Sequence, residues 1–138
     1  MVPKVIVDTN VLIAGLRSRR GASFALLELI GLGLFDTVVS VPLVLEYEDA
    51  ALRGRIALPA KDIAAVIDYL CAVAAHQPIY FLWRPCLPDA KDDMVAEVAF
   101  AAGADFIITH NLRDFRPVSA LGVTAITPSL FLKRIRRL

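Results

Sequence analysis

The run Lys4-Val5-Ile6-Val7, followed at once by Asp8-Thr9-Asn10 and then Val11-Leu12-Ile13, constrains this chain more than any other feature. Apolar residues that continue without alternation describe a strand buried on both faces, and such strands belong to parallel sheets covered by helices. In these sheets functional groups collect at the carboxyl ends of the strands, where a crevice opens. Asp8 stands at that end. A carboxylate there has to be solvated, paired or bound to a cation, because an isolated buried charge is very costly. The simpler alternative is that Asp8 only caps the helix that follows.

The rest of the chain alternates helices and strands. Asn10 to about Leu16 reads as a short helix, and the Arg-Ser-Arg-Arg-Gly stretch at 17–21 as a loop. Residues 22–32 form a second helix ending near Gly31 or Gly33. Thr37–Ser40 is a short β-branched strand, and Pro42 suits the first turn of a helix reaching about Leu52. Residues 60–75 form an amphipathic helix after Pro59, and Pro88 precedes another from about Asp89 to Ala102, closed by Gly103. Strands follow at Asp105–Thr109 and Val123–Ile126, with a terminal helix from Ser129 onward. The pattern predicts right-handed crossovers and an α/β fold of three layers, α/β/α, with a central parallel sheet and helices on both faces. One domain spanning residues 1–138 is expected.

Apolar residues make up 57% of the chain, against a typical ~45–50%. Buried strands account for part of that excess, and an apolar surface between two copies for the rest. No stretch reaches the roughly 18–20 uncharged residues of a membrane span. The fold starts at once, without the cationic and apolar regions of a secretory signal, so a cytoplasmic location is expected. Cys71 and Cys86 lack metal-type spacing and read as small buried hydrophobes. His76 and His110 have no partner at helical spacing, which argues against zinc, and His110 reads as a solvent-facing loop residue. Net charge is only +1, but the charges are segregated. Arg17, Arg19 and Arg20 form one basic group, Arg53 and Arg55 a second, and Lys133, Arg134, Arg136 and Arg137 a third, while acids gather at 46–49 and 89–93. Basic margins around acidic centres suit a metal-dependent enzyme acting on a polyanion, and ordinary solvated helix ends produce the same pattern.

The acids form a constellation. Asp8 ends the first strand, Glu46 lies in the first turns of the helix after the 37–40 strand, and Asp92 lies in the first turn of the 89–102 helix beside Asp89 and Asp93. The stretch from Thr109 to Asp114 follows the 105–109 strand. In a parallel sheet these strand ends point the same way, so distant residues converge. Clustered carboxylates repel one another and raise a pKa, and a hard divalent cation such as Mg²⁺, which takes oxygen ligands, relieves that repulsion. Taken singly, Asp89 or Asp93 reads as an acidic first turn favoured by the helix dipole. Glu48 and Asp49 read as a solvated helix face, and Asp105 as facing away from the crevice.

Three segments together resemble the PIN-domain nucleases, and in particular the small VapC-type toxins of prokaryotic toxin–antitoxin pairs. They are Val5 through Ile13, Ser40-Val41-Pro42-Leu43-Val44-Leu45-Glu46, and Asp89 through Val95 continuing into Ala102-Gly103-Ala104-Asp105-Phe106-Ile107-Ile108-Thr109. The likeness covers nearly the whole chain. It implies that Asp8, Glu46 and Asp92 are the metal-binding acids, with Asp93 one position away as the other choice on that helix. Many relatives carry an aspartate directly after the Thr-x of the later strand, where this chain has Asn111; Asp114, three residues on, is the candidate replacement.

The activity implied is hydrolysis of single-stranded RNA by an endoribonuclease dependent on Mg²⁺ or Mn²⁺, the toxin half of such a pair. Thr9, Asn10, Thr109 and Asn111 would orient the carboxylates, and Arg17, Arg19, Arg20 and Arg134 would track the phosphate backbone. A homodimer and a cognate antitoxin protein are the partners expected. A haloacid-dehalogenase type of phosphohydrolase also ends its first strand in an aspartate, but it needs a second acid two residues on, where Asn10 stands. The non-enzymatic alternative is a PIN-like nucleic-acid-binding or scaffold domain with a decayed site.

Overall fold

The computed structural model describes residues 2–79, 87 and 90–136. Among the described residues five strands form one sheet: β1 (Lys4–Val7), β2 (Asp36–Val39), β3 (Ala75–His76), β4 (Phe106–Ile108) and β5 (Thr124–Ile126). Their order is β3-β2-β1-β4-β5, and every pairing is parallel. The helices are α1 (Thr9–Arg17), α2 (Ala22–Leu29), α3 (Val41–Arg53), α4 (Ala60–Val73), α5 (Ala90–Ala102) and α6 (Pro128–Ile135), with a 3₁₀ turn at Arg116–Leu121. The architecture is the expected α/β/α arrangement around a parallel sheet. Among the described residues no helix is long and apolar enough to cross a membrane.

The continuous apolar runs become the central strands. Val5, Ile6 and Val7 of β1 and Ile107 and Ile108 of β4 are fully buried, which two-sided cover by helices requires. Phe131 of α6 packs edge-on against Phe35 and Phe106, closing the core at the amino end of the sheet. α3 starts where expected: the Ser40 hydroxyl accepts the Leu43 amide at 3.2 Å, and Pro42 sits in the first turn, where no amide is needed.

Several boundaries differ from the sequence expectation for local reasons. α2 stops at Leu29, before Gly31 and Gly33, both of which take left-handed φ near +88°. α1 starts at Thr9 and runs through Arg17, so that arginine is helical rather than part of the loop. Neither β3, two exposed residues paired with Val38 and Val39, nor the 3₁₀ turn has a periodic signature in the sequence. The expectations for Asp89, Pro88, Cys86 and Arg137 lie outside the described residues.

The chain moves from β1 to one side through β2 and β3, then returns to build β4 and β5 on the other. The order therefore reverses between β1 and β4, and a ligand crevice is expected beyond the carboxyl ends of those neighbours. Asp8 and Thr109 are the residues that follow them.

Candidate active site

Asp8 continues the β1 ladder, its amide donating to the Ile108 carbonyl at 2.9 Å. Its carboxylate is 4% exposed and makes no capping bond to α1, so capping alone does not account for it. Instead Oδ2 accepts the Thr109 hydroxyl at 2.7 Å across the switch point. The same hydroxyl oxygen accepts the Asn111 amide at 2.9 Å, which fixes its proton toward Asp8. Burial raises the Asp8 pKa above its ordinary value and Glu46 adds to the rise, while the Thr109 hydroxyl, the Thr9 backbone amide and His110 oppose it.

Asp8, Glu46 and Asp92 line a single cleft of about 460 Å³, together with Thr9, Asn10, Arg17 and Arg53. Its walls follow from helical periodicity. On α1, Asn10, Ala14 and Arg17 share a face at i, i+4 and i+7; on α3, Glu46, Ala50 and Arg53 repeat that spacing. Beside the α3 wall runs the buried stripe of Leu43, Tyr47 and Ala51, which anchors the helix. The Tyr47 hydroxyl, fully buried, donates to the Val7 carbonyl just before Asp8, and burial together with the Asp8 charge pushes its pKa well up. Each wall thus starts with a polar or acidic group near the sheet and ends in an arginine.

The two arginines are engaged differently. Arg53 lies 3.6 Å from the mostly buried Glu46 carboxylate and 2.9 Å from Asp49, the latter an exposed pairing worth little in stability. Arg17 donates through Nε and Nη2 to the Gly54 carbonyl at 3.1 and 2.6 Å. Arg53 was not anticipated as a site residue, although the 46/50/53 spacing would have placed it beside Glu46.

The other expected site residues fall elsewhere. Asp93 is buried and its Oδ1 accepts the Leu87 amide at 2.9 Å, so it ties Leu87 to α5 and is not among the cleft-lining residues. Asp114 accepts the Asn111 side-chain amide at 2.7 Å and is not among the cleft-lining residues. Asn10 accepts the His110 amide at 3.4 Å, while the His110 ring is bonded to the Ser23 hydroxyl at 2.8 Å, tying this loop to α2. Arg19 and Arg20 are exposed on the loop after α1.

Arg134 corrects its expectation. It sits 4.9 Å over the Phe106 ring, at the amino end of β4 and therefore at the opposite end of the sheet from Asp8. A helix that follows a parallel strand runs back down the sheet, which carries the last turn of α6 and its bases away from the crevice. Asp105, bonded to the Lys4 amide at 2.9 Å, marks the same far end.

Among the described residues no three His, Cys, Asp or Glu side chains are drawn close enough to form a ready-made metal cage. Asp8, Glu46 and Asp92 share a cleft rather than a point. Their chemistry is nonetheless that of a hard-cation site: oxygen donors only, one of them buried and raised in pKa.

The family model for the PIN domain matches residues 4–113. The chain belongs to the PIN-domain family. Members are in general nucleases that use divalent metals. Among solved structures, the PIN chain is similar to one in the crystal structure of VapBC2 from Rickettsia felis bound to a DNA fragment from their promoter. That likeness has a TM-score of 0.63 and 13% identity over 88% of this chain and 98% of the other, and it speaks for the fold. No protein of curated function matches the chain in sequence.

Proposed function

We propose that this PIN domain is a divalent-metal-dependent endoribonuclease acting on single-stranded RNA, the toxin component of a toxin–antitoxin pair. The observation that carries the reading is the convergence of Asp8, Glu46 and Asp92 on one cleft at the β1/β4 switch point. Asp8, Glu46 and Asp92 would hold Mg²⁺ or Mn²⁺. When bound, the cation supplies a water of lowered pKa and stabilises charge on the phosphoryl and leaving oxygens.

The chain's own groups do the rest. Thr109 holds the Asp8 carboxylate in one orientation, and Asn111 holds Thr109. Thr9 and Asn10 line the cleft beside Asp8. Arg53 in the cleft, with Arg19 and Arg20 on the neighbouring loop, offers cations to an RNA backbone, a salt-sensitive contact tolerant of sequence. The partner assignment rests on the likeness to VapBC2 and on unfilled apolar surface. A groove of about 510 Å³ lined by Leu16, Phe24, Leu27, Leu58, Val66 and Tyr69 suits an amphipathic segment of an antitoxin. Val41, Leu45 and Leu52 of α3 are 69%, 58% and 77% exposed, which suits a homodimer contact.

A decayed site is the second reading, and Asn111 favours it: where many relatives place a fourth carboxylate, this chain has an amide bonded to Asp114. Titration with Mn²⁺ separates the two. A ligand that binds only the native state stabilises it by about 2.7 kcal/mol at a hundred times its Kd. We expect millimolar Mn²⁺ to raise the wild-type melting temperature, reversibly with chelator. No shift would favour the decayed site.

A further inference from the structure

We infer that Arg17 is a positioning residue that fixes the separation of the two cleft walls, and not a phosphate contact. This rests on the nuclease reading above for its catalytic consequence. α1 begins immediately after Asp8 and ends in Arg17; α3 carries Glu46 and ends at the Gly54 cap. The two helices pack together, and their far ends are joined by the Arg17 guanidinium, whose Nε and Nη2 both donate to the Gly54 carbonyl. That carbonyl lies where a helix leaves its acceptors unpaired and where its dipole is negative, so a cation is the favoured partner.

The acceptor is the Gly54 carbonyl, and the link does not depend on that residue being glycine. Its φ of −77° and ψ of 0° are open to any residue, so no backbone constraint calls for glycine. An added Cβ would lie 3.0 Å from the Ala50 carbonyl oxygen, a tight approach within α3, but 3.5 Å from Arg17 Nη2, an ordinary contact that leaves the guanidinium on its acceptor. The link spans 37 residues of sequence and crosses the cleft, which Arg17 itself lines. A lysine keeps the charge but cannot present two N–H groups in the fixed fork of a guanidinium. The contact is therefore one of shape as well as charge, and it bears on where Glu46 stands relative to Asp8.

Comparing Arg17→Lys with Arg17→Ala tests this, each assayed well below its melting temperature. As a positioning residue, Arg17 should give both variants a similar fall in kcat, of up to about 100-fold, the scale on which a small misplacement by a change far from the chemistry is felt. The Mn²⁺ concentration for half-maximal thermal shift should rise in both, with KM and the salt slope of RNA binding unchanged. Wild-type turnover in Arg17→Lys, with a raised KM and a salt slope lower by about one in Arg17→Ala, would overturn the inference in favour of a phosphate contact. If the wild type neither binds Mn²⁺ nor cleaves RNA, the nuclease reading fails by itself. The link is then judged by hydrogen exchange at residues 53–56: equal loss of protection in both Arg17 variants supports it, and unchanged protection overturns it.

Discussion

Asp8→Asn should reduce RNA cleavage by roughly a hundredfold or more, given that even groups which only orient a metal ligand are worth about 10–100-fold. The substitution is nearly isosteric, and the Thr109 hydroxyl can still donate to the amide oxygen. The fold should therefore survive. Without metal the variant should be more stable than the wild type, because burial and Glu46 both penalise the Asp8 charge. A gain on the order of 1 kcal/mol would raise the melting temperature by roughly 3–5 °C in a chain of this size.

The pH dependence follows with a definite sign. The folded pKa of Asp8 is raised, so between the ordinary carboxylate pKa and that raised value the native state binds more protons than the unfolded one. The contribution of Asp8 to stability consequently falls as pH rises through that window and is flat above it. Urea midpoints of metal-free wild type and Asp8→Asn across acidic to neutral pH should separate progressively in favour of the variant. Parallel curves would mean that Asp8 carries no burial cost, and cleavage within a few-fold of wild type would remove it from the centre.

Thr109→Val is expected to have the next largest effect. Thr109 is fully buried, and its hydroxyl serves Asp8 and the Asn111 amide at once. Valine fills the same volume but leaves a buried carboxylate oxygen and a backbone amide short of a partner, costing about 1–3 kcal/mol for each buried group so left. Activity should fall with stability, since Asp8 loses the group that orients it. Thr109→Ser keeps the hydroxyl and should restore most of both. If Thr109→Val unfolds at the wild-type urea midpoint, the hydrogen bond across the switch point contributes nothing.

What was legible in the sequence, and what was not, follows from the range of the forces involved. β1 and Asp8 could be read directly, because a strand buried on both faces leaves an unbroken apolar run and a charge at its end is conspicuous. Topology brought Glu46 and the acids at 89–93 toward the same crevice, since all strand ends of a parallel sheet point one way, and the choice of Asp92 among them came from the resemblance. Arg134 was misplaced although the same topology contained the answer: α6 runs antiparallel to β5 and takes its bases to the far end. The Arg17–Gly54 link could not have been read, because the acceptor is a cap carbonyl 37 residues away. β3 was invisible because two exposed residues carry no pattern, and only pairing with β2 makes them a strand. The destination of the Tyr47 hydroxyl, the Val7 carbonyl, is a tertiary fact that no pattern along α3 announces.

The central claim, that Asp8, Glu46 and Asp92 form a metal-dependent RNA-cleaving centre, is tested most directly by incubating the purified wild-type chain with end-labelled single-stranded RNA. Parallel reactions would contain Mg²⁺, Mn²⁺ or excess EDTA, with Asp8→Asn as the matched control. The account predicts endonucleolytic fragments with either metal, none with EDTA and none above background with the variant. Fragments that persist equally in EDTA or in the Asp8→Asn reaction would contradict it.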